Sequence, residues 1–360
     1  RGHRNMASTK PIRVGIVGLG RAGWGMHTNE LKKRGDKFEI VAGCDPVRKR
    51  RDMLQEKCGC PVYANVEALI ADDSVELVDI ASRSPAHVPQ ALLALAANKY
   101  VFLEKPIALS YPEATQLKTA AASSKGAIFI RHNRRFEAGF QHIREIIASQ
   151  ILGKVYEIKL RRNSYQRRDD WQTIIECGGG QLLNWGPHII DHGLRFLESP
   201  LADMWSDLKK IAAVGDAEDH LKVILKGQNG RIVDLEISGG SAIKEPEYIV
   251  LGTRGGLTCS GNEIHLRYLN PEQKLSRRRA KRSNPPLQGG FGQKEELEWM
   301  EKTIPVAPKT ACNTDHIWDH LYAAIREKKT FPITLDEALQ VMEVVSAVKR
   351  GTEFAGNLKH

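Results

Sequence analysis

A short apolar run, Ile12 to Val17, turns through Gly18, Gly20 and Gly23 into a helical pattern reaching from Ala22 to about Lys33. That pattern admits few folds. Gly18 permits a tight turn out of a strand, Gly20 lets backbone approach a pyrophosphate, and Gly23 lets the helix pack against the sheet with its first amides facing the anion. Leu19, Arg21 and Ala22 complete the expected phosphate cradle. A second apolar strand, Phe38 to Cys44, ends in Asp45, close to the 20-residue spacing expected of a carboxylate that accepts adenosine ribose hydroxyls. The other reading of Asp45 is a turn residue before Pro46. A carboxylate there repels a 2′-phosphate, so NAD is favoured over NADP. Arg48, Arg50 and Arg51 follow closely and keep NADP open.

Beyond Asp45 the chain alternates helices and strands. Val47 to about Cys58 is an amphipathic helix, and Asn65 caps the next. Val75 to Ala81 is an apolar strand interrupted inside only by Asp79. Ser84 with Pro85 opens a helix, Tyr100–Leu103 is a strand, Ser110 to Glu113 is a capping box, and Ala127–Ile130 is a further strand. Such alternation means a doubly wound parallel sheet. After about residue 150 the pattern changes. Lys154–Leu160, Leu221–Leu225, Ile232–Ile237, Tyr248–Leu251 and Ile264–Leu269 read as strands, with one helical stretch, Leu182 to Leu197. The fold class is α/β: an N-terminal Rossmann sheet plus a C-terminal α+β domain with a large, mostly antiparallel open sheet. The divisions expected are a tag remnant over 1–10, a nucleotide-binding domain over 11–132, a substrate and oligomerisation domain over 133–333, and a C-terminal helix over 334–360 packing back on the first domain. Residues 273–292 form a basic loop, read as a surface insertion, with a lid or partner arm as the alternative.

The net charge of +10 comes from clusters dispersed along the 360 residues without a nucleic-acid module, so no nucleic-acid partner is expected. No run of 18 apolar residues spans a membrane, and the N-terminus lacks a signal's apolar core; the cytoplasm is the expected compartment. The six cysteines lack paired spacing and read as reduced structural thiols.

Chemistry concentrates in two places. Glu104-Lys105-Pro106 follows a parallel strand, where ligands bind in such sheets. Lys105 could transfer a hydroxyl proton if burial lowers its pKa; spacing alone equally allows a solvated loop lysine. In Cys177 to His192, Asn184, His188 and Asp191 fall on one face of a continuous helix. His188 there is a candidate base, with Asp191 orienting it or capping nearby structure. A metal site from His188, Asp191 and His192 lacks a typical ligand set, and His316 with His320 reads as structural, so no metal is expected. Arg135, Tyr165, Arg168, Asp170 and Trp171 could bind sugar hydroxyls, with Trp171 stacking on a ring; surface loops with one buried tryptophan are the alternative.

The glycine-rich strand, the Glu-Lys-Pro tripeptide and the Gly-Gly-Gly…His-x-x-Asp segment, in this order, resemble the glucose-fructose oxidoreductase, inositol dehydrogenase and rhizopine catabolism family (Gfo/Idh/MocA), from about Ile12 to Arg350. The resemblance implies tight NAD(P) binding, oxidation or reduction at a hydroxyl carbon of a sugar, cyclitol or related polyol, and homodimers or homotetramers through the open sheet. It matches Lys105 to the catalytic lysine and His188 to the catalytic histidine. Ser82 matches the residue near the nicotinamide, and His87 the histidine that follows it. Two positions depart. Asn184 replaces a common Asp and cannot take a proton. Ser82-Arg83 replaces Thr-Pro, so Arg83 alters the cofactor's surroundings. The departure at Asn184 leaves room for an enzyme that oxidises only transiently around tightly bound NAD, as a lyase, hydrolase or epimerase does. A non-catalytic NAD-responsive regulator using the arm Ser276–Arg282 is the remaining reading.

Overall fold

The computed structural model describes residues 10–282, 292 and 294–356, so most of the expected tag remnant and part of the basic loop lie outside the described residues. The first sheet contains β1 (Ile12–Val17), β2 (Phe38–Cys44), β3 (Val62–Tyr63), β4 (Leu77–Ile80), β5 (Tyr100–Leu103) and β6 (Ile128–Ile130), all parallel, in the order β3-β2-β1-β4-β5-β6. The order reverses between β1 and β4. Ligands bind at such a switch point, beyond the strands' carboxyl ends.

The second sheet has eight strands: β7 (Val155–Asn163), β8 (Leu201–Lys209), β9 (His220–Gly227), β10 (Ile232–Ser238), β11 (Tyr248–Gly252), β12 (Gly255–Ser260), β13 (Glu263–Leu269) and β14 (Trp299–Pro305). Only β7 and β10 pair in parallel; every other pair is antiparallel. One face buries Leu221, Val223, Leu225, Val233, Leu235 and Ile237 against the helix Gly186–Leu197. Gly193 makes that approach possible, since a Cβ there would lie 3.0 Å from Leu235 Cδ1. The opposite face carries alternate, polar side chains such as Lys222, Asp234 and Glu236.

Four details correct the sequence reading. β8, β12 and β14 were not expected. Ser84 makes no capping bond; it starts a short 3₁₀ turn, Ser84–Ala86, ahead of the helix His87–Ala96. Ser110 accepts from the Glu113 amide, but the Glu113 carboxylate reaches back to Leu109, so the box is not reciprocal. Finally, the helix expected over Leu182–Leu197 breaks at Trp185 into Gln181–Asn184 and Gly186–Leu197. Pro187 has no N–H to offer the Leu183 carbonyl, which is where a continuous helix would need one.

The C-terminal helix Leu335–Lys349 starts with a true capping box of Thr334 and Glu337 and buries Ala338, Met342, Val345 and Val348. It packs against the helix Tyr111–Ser123 and β6 of the first layer and also against Gly186–Leu197 of the second. Ile317–Arg326, numbered with the second domain, returns to the first sheet. Trp318 meets the rings of Phe38 and Phe102, while Arg34 grips Asp315 and Asp319. The described cysteines are unpaired; burial pushes Cys44, Cys60 and Cys259 up to about 11, which leaves them inert thiols at neutral pH.

Candidate active site

At the switch point the glycine turn is shaped by its neighbours. Gly18 has φ +90°, and a Cβ on it would sit 2.6 Å from the Ser82 backbone; one on Gly23 would sit 1.8 Å from the Gly18 carbonyl oxygen. Gly20 differs: a Cβ there meets nothing nearer than Arg50 Nη1 at 3.9 Å. Its face is open, and the amides of Gly20, Arg21 and Ala22 donate to no acceptor among the described residues. Three unused amides at an open glycine, ahead of a helical turn, fit a pyrophosphate.

Asp45 is buried beside them. Its Oδ2 accepts from the Leu19 amide at 2.9 Å and its Oδ1 from the Val47 amide at 2.8 Å. It therefore braces the glycine turn as well as lying where a ribose would bind. A carboxylate has about four lone-pair sites, so acceptor capacity remains for ribose hydroxyls. Arg50 Nη1 stands 3.5 Å from Oδ2 and beside Gly20, a cation within reach of a 2′-phosphate.

Lys105 sits where β5 ends. Its ammonium donates to the Asn184 backbone carbonyl at 2.7 Å. Burial lowers its pKa to about 8, against the pull of Glu104, with Arg134 and Arg21 adding repulsion. His188, buried one turn into its helix, has a pKa well below the ordinary value because burial, then Lys105 and Arg134, disfavour a second proton. Its Nδ1 has no partner. The pair is thus a lysine whose pKa is lowered toward neutrality beside a neutral imidazole. Asn184 enters through its backbone, while its side-chain oxygen accepts from Gln172 at 3.4 Å. Because the helix breaks at Trp185, Asn184 does not share a helix with His188 and Asp191.

Other expected site residues are placed differently. Asp191 does not orient His188. It makes two 2.8 Å bonds to Arg135, whose guanidinium also meets Glu337 at 2.8 Å. Arg135, expected to bind substrate, is therefore consumed in a buried ion pair. His87 is enclosed with its ring nitrogens against the carbonyls of Pro106 and Ser82, at 2.6 and 3.0 Å, so it staples two strand ends together. The Ser82 hydroxyl donates to Gln90 at 2.6 Å. Arg83 lies over the Trp171 ring at 5.3 Å, tying the Rossmann turn to the loop before the glycines. Tyr165 is exposed on that loop, and Arg168 pairs with Asp170.

A shallow, solvent-open depression lies beside Asn184, lined among others by Gln166, Arg168, Gln172, Gln181 and Glu218. Burial raises the pKa of Glu218; its Oε1 accepts from the Leu182 amide, and its Oε2 and Gln181 Oε1 have no partner. The depression gathers side-chain amides, the Arg168 guanidinium and a buried carboxyl on one surface.

Family models match both layers: residues 12–132 fit the oxidoreductase family with NAD-binding Rossmann fold, and residues 140–258 fit the GFO/IDH/MocA C-terminal domain. The chain belongs to the Gfo/Idh/MocA oxidoreductase family. It is 25% identical over 348 residues to YdgJ, an uncharacterised oxidoreductase of Escherichia coli, covering 93% of this chain and 94% of that one. The D-glucoside 3-dehydrogenase of E. coli is 26% identical over 73% of this chain and 81% of its own length. The 2,7-anhydro-N-acetylneuraminate hydratase of E. coli is 26% identical over 70% of this chain and 68% of its own. An NAD-binding protein from Listeria innocua has the same fold, with TM-score 0.78, 22% identity, and coverage of 94% and 96%.

Beside the Gfo/Idh/MocA tripeptide lies a set of residues that sequence reading passed over. His27, Glu30, Asp79, Arg131 and Trp318 form a hydrogen-bonded network with Glu104. One signal for it was visible: Asp79 interrupts an otherwise apolar strand. Gln172, Gln181 and Glu218 were missed as well, because nothing in their spacing singles them out.

Proposed function

We propose that this chain is an NAD-dependent oxidoreductase, with NADP admitted by Arg50, that interconverts a secondary alcohol and a ketone on a sugar, cyclitol or related polyol. The observation that carries this reading is Lys105, a half-buried amine at the carboxyl end of β5 whose Nζ is held on the Asn184 carbonyl at 2.7 Å and whose pKa desolvation lowers to about 8. When bound, nicotinamide supplies the hydride acceptor or donor. In its neutral-amine form, accessible because its pKa is lowered to about 8, Lys105 takes the hydroxyl proton onto Nζ as the alcohol becomes a carbonyl, and the resulting ammonium returns it in the reverse direction. The Asn184 carbonyl fixes the direction of Nζ, and His188 hydrogen-bonds the reacting oxygen as a neutral imidazole. Gln166, Arg168, Gln172, Gln181 and Glu218 supply contacts to the remaining hydroxyls.

The test begins by releasing bound nucleotide from heat-denatured protein and assaying it for NAD(H) and NADP(H). Fresh protein with NAD is then offered a panel of hexoses, glycosides and cyclitols while reduced nicotinamide is followed by absorbance. Steady accumulation with one compound supports the reading; absence of any nicotinamide nucleotide binding overturns it.

A second reading is favoured by the relative named as a hydratase and by Asn184 in place of a carboxylate. On it, tightly bound NAD is reduced and reoxidised within each turnover. Substrate consumption without accumulation of free reduced cofactor distinguishes it.

A further inference from the structure

The buried charges next to Lys105 have no role in that scheme. His27 lies fully enclosed, with Nδ1 2.7 Å from Asp79 Oδ2 and Nε2 2.9 Å from Glu104 Oε1. Both partners are carboxylate oxygens. An imidazole can donate from both nitrogens only as imidazolium, so with Asp79 and Glu104 both ionised the two bonds are met by the doubly protonated ring.

Glu104 is the junction of the network. Its Oε1 also accepts from Arg131 Nε at 3.0 Å, and its Oε2 accepts the backbone N–H of Lys105 at 3.1 Å. Arg131 continues to Glu30 at 2.7 Å, and the same Glu30 oxygen accepts from Trp318 Nε1 at 2.6 Å. Around His27 the charged groups are therefore Asp79 from β4, Glu104 from the end of β5, Arg131 from the end of β6 and Glu30 from its own helical segment, with the Trp318 ring edge-on at 5.6 Å. Lys105 faces Glu104 together with Arg21, Arg134, His132 and His188.

We propose that His27 is a positioning residue that sets the proton affinity of Lys105: as an imidazolium it holds the Glu104 carboxylate in place and screens its charge from the Lys105 ammonium. The inference rests on the assignment of Lys105 as the proton carrier for its functional meaning. Its physical basis is the sign of each neighbour. Glu104 favours the charged form of Lys105, and His27 and Arg131 draw on the same carboxylate. A neutral group in place of His27 leaves Glu104 less compensated, and the lysine then holds its proton to higher pH. Burial opposes a charge on His27, but the Asp79 charge and the two hydrogen bonds raise its pKa to about 9, so the screen persists where Lys105 titrates.

The test needs no substrate. Lys105 is titrated by competitive labelling with acetic anhydride between pH 6 and 10, read by mass spectrometry of the peptide containing it. The wild-type midpoint is expected near 8. His27→Gln removes the charge while keeping a side-chain N–H donor for one of the two carboxylates, and should move the midpoint up by about half a unit to one unit. Glu104→Gln removes the attracting carboxylate and should move it down. An unshifted midpoint in folded His27→Gln overturns the proposal, as does a downward shift. If His27→Gln does not fold, ¹⁵N NMR of the wild-type ring at pH 7.5 decides: both nitrogens protonated supports the assignment, and a neutral ring overturns it. Failure of the oxidoreductase reading would appear in turnover alone and would leave this titration unchanged.

Discussion

At Lys105 a single side chain sets function against stability. The unfolded chain keeps this lysine protonated to its ordinary value near 10.5, whereas the folded chain, by burial, does so only to about 8. Between those values the unfolded state binds more protons, so stability contributed at this position rises with pH across that window, and below pH 8 the full desolvation cost remains. Lys105→Met should therefore raise Tm at pH 7 by about 3 °C, less what the lost bond to Asn184 costs, and the gain should shrink toward pH 10. The same variant should lose turnover by a factor of about 10² to 10⁴ while keeping nucleotide affinity. Calorimetry at pH 7 and pH 10, with nucleotide titration alongside, checks both; a lower Tm at pH 7 with normal turnover contradicts the buried-amine account. The sequence marked Lys105 by its place after a strand but could not say that it was half-buried and desolvated. That depends on Asn184 and Glu104, one of them 79 residues away.

Among the elements, the glycine turn offers the sharpest contrast. A methyl on Gly23 collides with the Gly18 carbonyl at 1.8 Å, whereas one on Gly20 meets only the far end of Arg50. Gly23→Ala should break the turn and yield protein with depressed Tm. Gly20→Ala should fold normally yet bind NAD(H) at least tenfold more weakly, because its methyl occupies the face left for the pyrophosphate. Fluorescence titration of NADH against melting temperature separates the two effects; equal loss of both properties in both variants would be the wrong outcome. The turn itself was legible in advance, since strand, glycines and helix are contiguous. The second sheet was less so. β14 exposes nearly all its residues at a sheet edge and carries no alternating apolar signal, and β12 begins with two glycines. The break at Trp185 was equally hidden, because the apolar period continues through it even though Pro187 cannot donate to Leu183.

Across the whole molecule, Arg135 joins what the chain keeps far apart: its guanidinium ties Asp191 of the second layer to Glu337 of the C-terminal helix. Arg135→Met leaves Asp191 buried without a counter-charge and should cost about 3 to 5 kcal/mol in urea unfolding. The KM for whichever sugar the panel identifies should hardly move, the opposite of what a substrate-binding arginine would show. The open face of the large sheet calls for a different partner. Register aligns Trp205 with Ile224 and, beyond it, Asp234, and Trp205 is 57% exposed beside the row that holds Asp207, Lys222 and Glu236. An indole so exposed on an eight-stranded face, beside paired charges, is suited to burial against a second copy of the same sheet, as the open sheet of this family implied at the outset. Light scattering after gel filtration should then give at least twice the 40.2 kDa of one chain. Trp205→Glu should lower that mass toward a single chain while nucleotide binding persists, because the glycine turn lies on the other sheet. A wild-type mass of one chain at micromolar concentration would remove the sheet as an assembly surface and leave Trp205 solvent-facing.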